Sequence, residues 1–199
     1  MEYSVPINYV LPINGMRETY WTEFGYKLDN KDLVKEDTRI MPVGSGFLIA
    51  AKESFWPVED LLNQYNLQIE TARIFVTNPN MKLQIHRDCV SKKQQLREWA
   101  INIPIDNCDK GTNEWFSDTD NDFTDETFIP GGSAVMAAGM REYNISEVCG
   151  LDQIRLIRTD VMHRSNNIGN DKRRVVLSIR GSSHLTYNEV AKRIKEYIT

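Results

Sequence analysis

The chain is predicted to be a mainly β protein, a sandwich or small barrel with helices toward its two ends. Two observations carry that expectation. About eight short runs rich in β-branched and aromatic residues recur at irregular intervals, separated by Asn-, Gly- and Pro-containing turns. Helical periodicity is confined to the flanks, so the strand-helix alternation that builds a parallel sheet is missing.

From Tyr3 to Leu28 short apolar runs are broken by Pro6, Pro12, Gly15 and Gly25, a rhythm of strands and turns. Residues 30–37 are charged and read as a loop, and 45–51 form a short apolar run. Pro57 then suits a first helical turn, with Glu59 and Asp60 at the positive end of the helix dipole. Val58, Leu61, Leu62 and Tyr65 fall on one stripe of that helix, which should cover a sheet. The strand candidates beyond it are 73–77, 81–85, 99–105, 114–116, 133–136, 153–157, 160–163 and 174–179, with 130–132 and 166–171 as turns. Thr186-Tyr187-Asn188-Glu189 is a capping box. It opens a helix at about 186–198 whose Val190, Ala191, Ile194, Tyr197 and Ile198 make one apolar face.

A chain of 199 residues is expected to form a single domain over 1–199. The net charge is -4, and Lys and Arg are scattered, so there is no electrostatic footprint for a nucleic-acid partner. Cys89, Cys108 and Cys149 are far apart with no C-x-x-C pair, which argues against a disulfide scaffold or structural zinc and for a reducing, cytoplasmic setting. The N-terminus has no basic-then-apolar run, and no apolar stretch approaches the roughly 20 residues that span a bilayer. A soluble protein without membrane association is expected.

The chemistry gathers on the stretch 81–88, read as a strand that ends in His86 and Asp88. Residues two apart in a strand share a face, so imidazole and carboxylate are presented side by side, with Arg87 directed away. His163 follows after several intervening strands. Two histidines and a carboxylate can occupy one face of an octahedral metal and leave three positions open, which suits non-haem Fe(II) oxygenases. The strand from Arg173 to Arg180 adds a cation. If Arg174 points inward, Val176, Ser178 and Arg180 share its face, while Val175, Leu177 and Ile179 form an apolar row for packing. Choosing Arg173 would turn that apolar row into the pocket lining, so Arg174 is preferred. Its planar fork suits a dicarboxylate, and Ser178 adds a hydroxyl donor. Asn102, inside Ala-Ile-Asn-Ile-Pro-Ile, faces a cofactor or makes a cross-strand hydrogen bond.

His86-x-Asp88, then His163, then Arg174 resembles the Fe(II)- and 2-oxoglutarate-dependent dioxygenases. The runs 100–105, 114–116 and 163–167 look like the prolyl-hydroxylase-like and aspartyl/asparaginyl-hydroxylase-like branches, and the likeness covers about 73–181. The resemblance implies a double-stranded β-helix (jelly roll) with flanking helices. It implies Fe(II) held by His86, Asp88 and His163, with the distal carboxylate of 2-oxoglutarate on Arg174. It also implies consumption of dioxygen and release of succinate, carbon dioxide and an oxidised product. The substrate, a small molecule or a protein side chain, is left open. So are two rivals: a cupin-type metal enzyme without 2-oxoglutarate, and a non-catalytic jelly-roll binding protein.

Weaker signals are set aside. In the acidic run 118–122, Phe123 and Ile129 stand where a calcium loop needs Gly and Glu. Cys89 lacks an orienting partner for a nucleophile. Gly131-Gly132 reads as a tight turn, His184 as a surface residue, and Trp115 as a core residue or part of the mouth of the site.

Overall fold

Short strands dominate the computed structural model, which describes residues 2–51, 57–90, 95–118, 121, 123, 126–128, 134–137, 143–181 and 184–198. In chain order they and the helices are β1 (Ser4–Pro6), α1 (Ile13–Glu23), α2 (Lys31–Glu36), β2 (Ile40–Val43), β3 (Gly46–Ala50), α3 (Pro57–Gln64) and β4 (Ile69–Thr77). There follow β5 (His86–Val90), β6 (Gln95–Leu96), β7 (Trp99–Asp106), β8 (Thr112–Phe116), β9 (Glu126–Phe128) and β10 (Ala134–Ala137). The chain closes with β11 (Glu147–Gly150), β12 (Arg155–Arg158), β13 (Met162–Asn166), β14 (Arg174–Gly181) and α4 (Tyr187–Arg193). One sheet runs β1-β12-β7-β14-β4-β3-β2, the other β11-β8-β13-β5-β10-β9 with β6 on β5, and neighbouring strands are antiparallel. Among the described residues no helix is long and apolar enough to cross a membrane.

The two faces of β14 divide the molecule. Val175, Leu177 and Ile179 join Ile74 of β4 and Ile101 and Ile103 of β7 in the largest apolar cluster. That cluster extends to Met16 and Tyr20 of α1, Leu62 of α3, Val190 of α4 and Ile194 just after it. The main core therefore lies between the first sheet and the helices, where each fully buried Leu or Ile contributes roughly 2 kcal/mol. The opposite face, with Arg174, Val176, Ser178 and Arg180, turns toward His86 and His163 of the second sheet. Pro104 is tolerated inside β7 for two reasons. The ladder with β12 ends at Asn102, and the ladder with β14 shifts register beside it, so no neighbour requires its missing N–H.

Three expectations are corrected. Residues 3–28 are not strands and turns throughout: after β1 they form α1, because Met16, Tyr20 and Phe24 recur every four residues and are buried. Residues 30–37 are not a loop, since the Asn30 side chain accepts from the Asp32 and Leu33 amides and caps α2. Residues 81–85 are not a strand, and His86 begins β5 instead of ending it. Their apolar alternation is real, but the backbone makes only an isolated bridge from Lys82 to Asn166 and an irregular bond from the Leu83 amide to the Ser165 carbonyl. The segment spends its side chains on lining a cavity. By contrast the Thr186–Glu189 capping box forms in full ahead of α4, and the helix expected from Pro57 is α3. The turn expected at 130–132 lies outside the described residues.

The β13–β14 turn sets where β14 begins. Asn167 is wholly buried; its amide donates to the carbonyls of Thr77, Asn78 and Lys172 at 3.3, 3.0 and 3.0 Å and its oxygen accepts from Asn170 at 3.0 Å. It ties the turn to the end of β4, where Thr77 faces Arg174 in the ladder. Replacing Asn167 with Ala strands these carbonyls without a donor. The variant is expected to lose about 2–3 kcal/mol of unfolding free energy, measured by urea denaturation.

Candidate metal centre

His86 opens β5 and lies directly opposite His163 on β13, so one cross-strand pair sets both imidazoles side by side with ring centroids 4.6 Å apart. Asp88, two residues on, shares the face of His86, with its Oδ1 3.9 Å from His86 Nε2. One ligand atom from each of the three residues falls within 4.8 Å of the others. Both imidazoles use the same local device. Nδ1 of His86 lies 2.8 Å from the Gln84 carbonyl, and Nδ1 of His163 lies 2.8 Å from the Val161 carbonyl. A carbonyl only accepts, so both Nδ1 atoms carry the proton and both Nε2 lone pairs are free for a metal. Burial, with some help from the neighbouring His86, pushes His163 down to about 4 and keeps it neutral. Arg87 points away, reaching toward Asp118 at 3.6 Å.

Asp88 is itself held. Its amide donates to the Thr159 carbonyl at 2.8 Å and its carbonyl accepts from Arg97 at 3.0 Å. Its second oxygen, Oδ2, lies 2.5 Å from Nη2 of Arg180, a close ion pair with poor hydrogen-bond alignment. One carboxylate oxygen thus faces the imidazoles while the other meets a cation. Arg180 stacks over Phe75 with its guanidinium 5.5 Å from the ring centre. Sequence alternation put Arg180 on Arg174's face but not against Asp88.

His86 and His163 share a narrow cavity of about 30 Å³ with Arg174, Ser178 and Asn102. Arg174 stands in the wall of this cavity. It is 1% exposed and makes no ion pair with an acid among the described residues. Its contacts are long: Nη1 donates to the Thr112 carbonyl at 3.2 Å, Nη2 to Thr77 Oγ1 at 3.5 Å, and Nε has no partner. Burial alone pushes its guanidinium down to about 10. Gly111 makes room for it, since a Cβ there would sit 2.4 Å from Arg174 Cδ. Asn102 faces Ser178 across the ladder, and its Oδ1 is buried without a partner. Arg173 is elsewhere, paired with Asp29 at 2.8 Å. Thr77, Gly111 and Thr112 were not anticipated; only the glycine beside a strand hinted at a close approach.

Of the residues set aside, Cys89 is buried, and burial together with Asp88 raises its thiol pKa, so it stays an unreactive thiol. Trp115 is a core residue, fully buried with its indole N–H on the Arg158 carbonyl at 2.9 Å. His184 is exposed. Beside the slot lies a second, more open chamber of about 380 Å³, and Phe75, Leu83, His86 and Arg180 contribute to both.

No protein-family model matches the chain, and no curated protein does. Solved structures do. AviO1 from Streptomyces viridochromogenes Tue57 is 12% identical, with 91% of this chain and 90% of that one covered and a TM-score of 0.52. SnoK, a non-heme alpha-ketoglutarate-dependent carbocyclase from nogalamycin biosynthesis, is 12% identical over 90% of this chain and 79% of its own, with a TM-score of 0.54. EvdMO1 is 10% identical with a TM-score of 0.56, and this chain spans 47% of its length. The chain spans 30% of the length of Bacillus subtilis oxalate decarboxylase at a TM-score of 0.40, too slight a likeness to argue from. At these identities what is shared is the fold, a mainly β architecture of antiparallel sheets.

Proposed function

We propose that the chain is an Fe(II)- and 2-oxoglutarate-dependent oxygenase, a hydroxylase, with its β-core a double-stranded β-helix. The observation that carries this is Arg174, a wholly buried guanidinium that meets no acid among the described residues and lines the same slot as two of the three candidate metal ligands. A buried charge without a counter-charge costs several kcal/mol, so its retention points to an anion that arrives from outside. Two neutral imidazoles and a carboxylate form the donor set for a facial Fe(II) site with open positions. The fold shared with an alpha-ketoglutarate-dependent carbocyclase supports the same reading.

In this scheme His86 and His163 would bind iron through Nε2 and Asp88 through Oδ1. Bound there, iron would supply the oxidising chemistry by which dioxygen, 2-oxoglutarate and a substrate give succinate, carbon dioxide and the hydroxylated product, one oxygen atom going to each of succinate and product. Arg180 keeps the far oxygen of Asp88 occupied, which favours one-oxygen ligation and leaves metal positions open. Arg174 would exchange its long contacts with Thr112 and Thr77 for a carboxylate fork, a better partner for a delocalised cation. Ser178 would add a hydroxyl donor, and Asn102, turned over, an amide donor. Cys89, Cys108 and Cys149 are free thiols, in keeping with a cytoplasmic setting.

Succinate release from 2-oxoglutarate with Fe(II) and ascorbate tests the proposal. Arg174→Gln is expected to raise the 2-oxoglutarate concentration needed for half-maximal turnover at least about tenfold while Fe(II) binding is kept. A cupin-type metal enzyme that works without 2-oxoglutarate would bind Fe(II) but release no succinate, and Arg174→Gln would leave its 2-oxoglutarate dependence unmoved. Asp88→Asn should abolish Fe(II) binding in anaerobic titration. Because it also leaves Arg180 buried without its carboxylate, the metal-free variant should lose about 3 kcal/mol of unfolding free energy in urea.

A further inference from the structure

One more buried polar group in the wall of the inner slot lacks a partner. Asn113 of β8 lines the slot and is 1% exposed, and its Nδ2 has no hydrogen-bond partner among the described residues. A buried amide donor left unpaired is costly, and native structures keep few of them.

Strand register places it between the two ends of the site. Ser165 of β13 lies opposite Asn113, and two residues along the same ladder His163 lies opposite Trp115. Asn113 and Ser165 therefore share the face of His163, and Ser165 also lines the slot. Glu114 and Arg164, the pair between them, meet on the other face, where Arg164 Nε donates to Glu114 Oε2 at 2.6 Å. Just before Asn113, the Thr112 carbonyl accepts from Arg174 Nη1 at 3.2 Å, and Gly111 makes room for the stem of Arg174. Along β8, then, Asn113 stands next to the contact with Arg174 and ahead of the pairing with His163.

Its amide is already turned to donate. The Ser165 hydroxyl donates to Asn113 Oδ1 at 3.0 Å, so the oxygen is engaged and Nδ2 is the free end. Asn102 differs, because its unpaired atom is Oδ1 and it must turn over before it can donate. An anion held by the neighbouring guanidinium is the partner that suits an unpaired donor.

We propose that Asn113 is a ligand-binding residue of the slot: its Nδ2 donates to the carboxylate that Arg174 awaits, and Ser165 is its positioning residue. This rests on the reading of Arg174 as the anchor of a diacid, and not on the reaction that follows.

The test is calorimetric titration of the full chain under argon, with and without Fe(II), using 2-oxoglutarate and 2-oxopentanoate, a keto acid without the distal carboxylate. The unaltered chain is expected to prefer the diacid. Asn113→Leu, close in size but without a donor, should cut that preference at least about tenfold while weakening 2-oxopentanoate far less. Asn113→Thr, which restores a hydroxyl donor, should recover part of it. Ser165→Ala should cut the preference by less than Asn113→Leu, and should have no further effect when combined with it. Thermal unfolding checks that each variant folds. An unaltered chain with no preference for the diacid overturns the proposal, and so does an Asn113→Leu variant that keeps the preference or loses both keto acids alike. A preference lost in Arg174→Gln but kept in Asn113→Leu overturns the role of Asn113 and leaves the oxygenase reading standing. If succinate release is missing while the Asn113-dependent preference stands, the reaction is wrong and the residue is right.

Discussion

Taking Arg174 and Arg180 out of water is a large cost to this fold, and the structure around β14 answers it. The penalty for burying a guanidinium is several kcal/mol even after relaxation. The two arginines sit six residues apart on one face of β14 with only Val176 and Ser178 between them, and the other face of the same strand carries the apolar row that packs on the helices. One strand therefore contributes both to the main core and to the polar interior. Strand periodicity makes the two inseparable, because a register slip of one residue would bury the charges among the helices and turn the apolar row into the cavity. The buried Asn167, by fixing the turn into β14, guards against that slip.

The two arginines are answered differently, and the difference divides their roles. Arg180 has a carboxylate at 2.5 Å, a π-face beneath it, and a place in the wall between two cavities. Arg174 has a carbonyl, a distant hydroxyl and space made by a glycine. A structural arginine that deep would be expected to have an acid of its own; one kept for a ligand is better served by weak contacts that are easily given up. The imidazoles follow the same logic of preparation. Each is fixed through Nδ1 to the carbonyl two residues before it, so tautomer and ring orientation are set by the strand's own backbone.

Sequence carried most of this site and less of the scaffold around it. His86, Asp88, His163, Arg174, Asn102 and Ser178 could be named because each is a polar residue at a fixed alternation within an apolar or β-rich run, and the structure places them about adjoining cavities. What sequence could not supply was pairing. Nothing in the order of residues says that His163 meets His86 directly across a ladder, or that Asp88 meets Arg180, since those contacts depend on sheet register between distant segments. Local signals misled where two periods competed. Met81, Leu83 and Ile85 alternate like a strand, but Met81 and Leu83 line a chamber while Ile85 packs with Phe116 and Met162, and Met16, Tyr20 and Phe24 keep a helical spacing that Pro12 and Gly15 concealed.

The joint placement of Asp88 and Arg180 links the inner slot to the outer chamber. Asp88 has two oxygens and two claims on them: the imidazole side, where a cation would bind, and Arg180. A metal at the first draws electron density from the carboxylate and loosens its hold on the second, which leaves Arg180 more exposed to any other anion within reach. Any anion that met Arg180 would do the reverse, relieving Asp88 of Arg180 and leaving it the stronger ligand. A cation beside the imidazoles and an anion on Arg180 should therefore favour each other through a single carboxylate, and by linkage the favour is mutual. For the oxygenase proposed above, this coupling would tie the strength of the metal site to what meets Arg180.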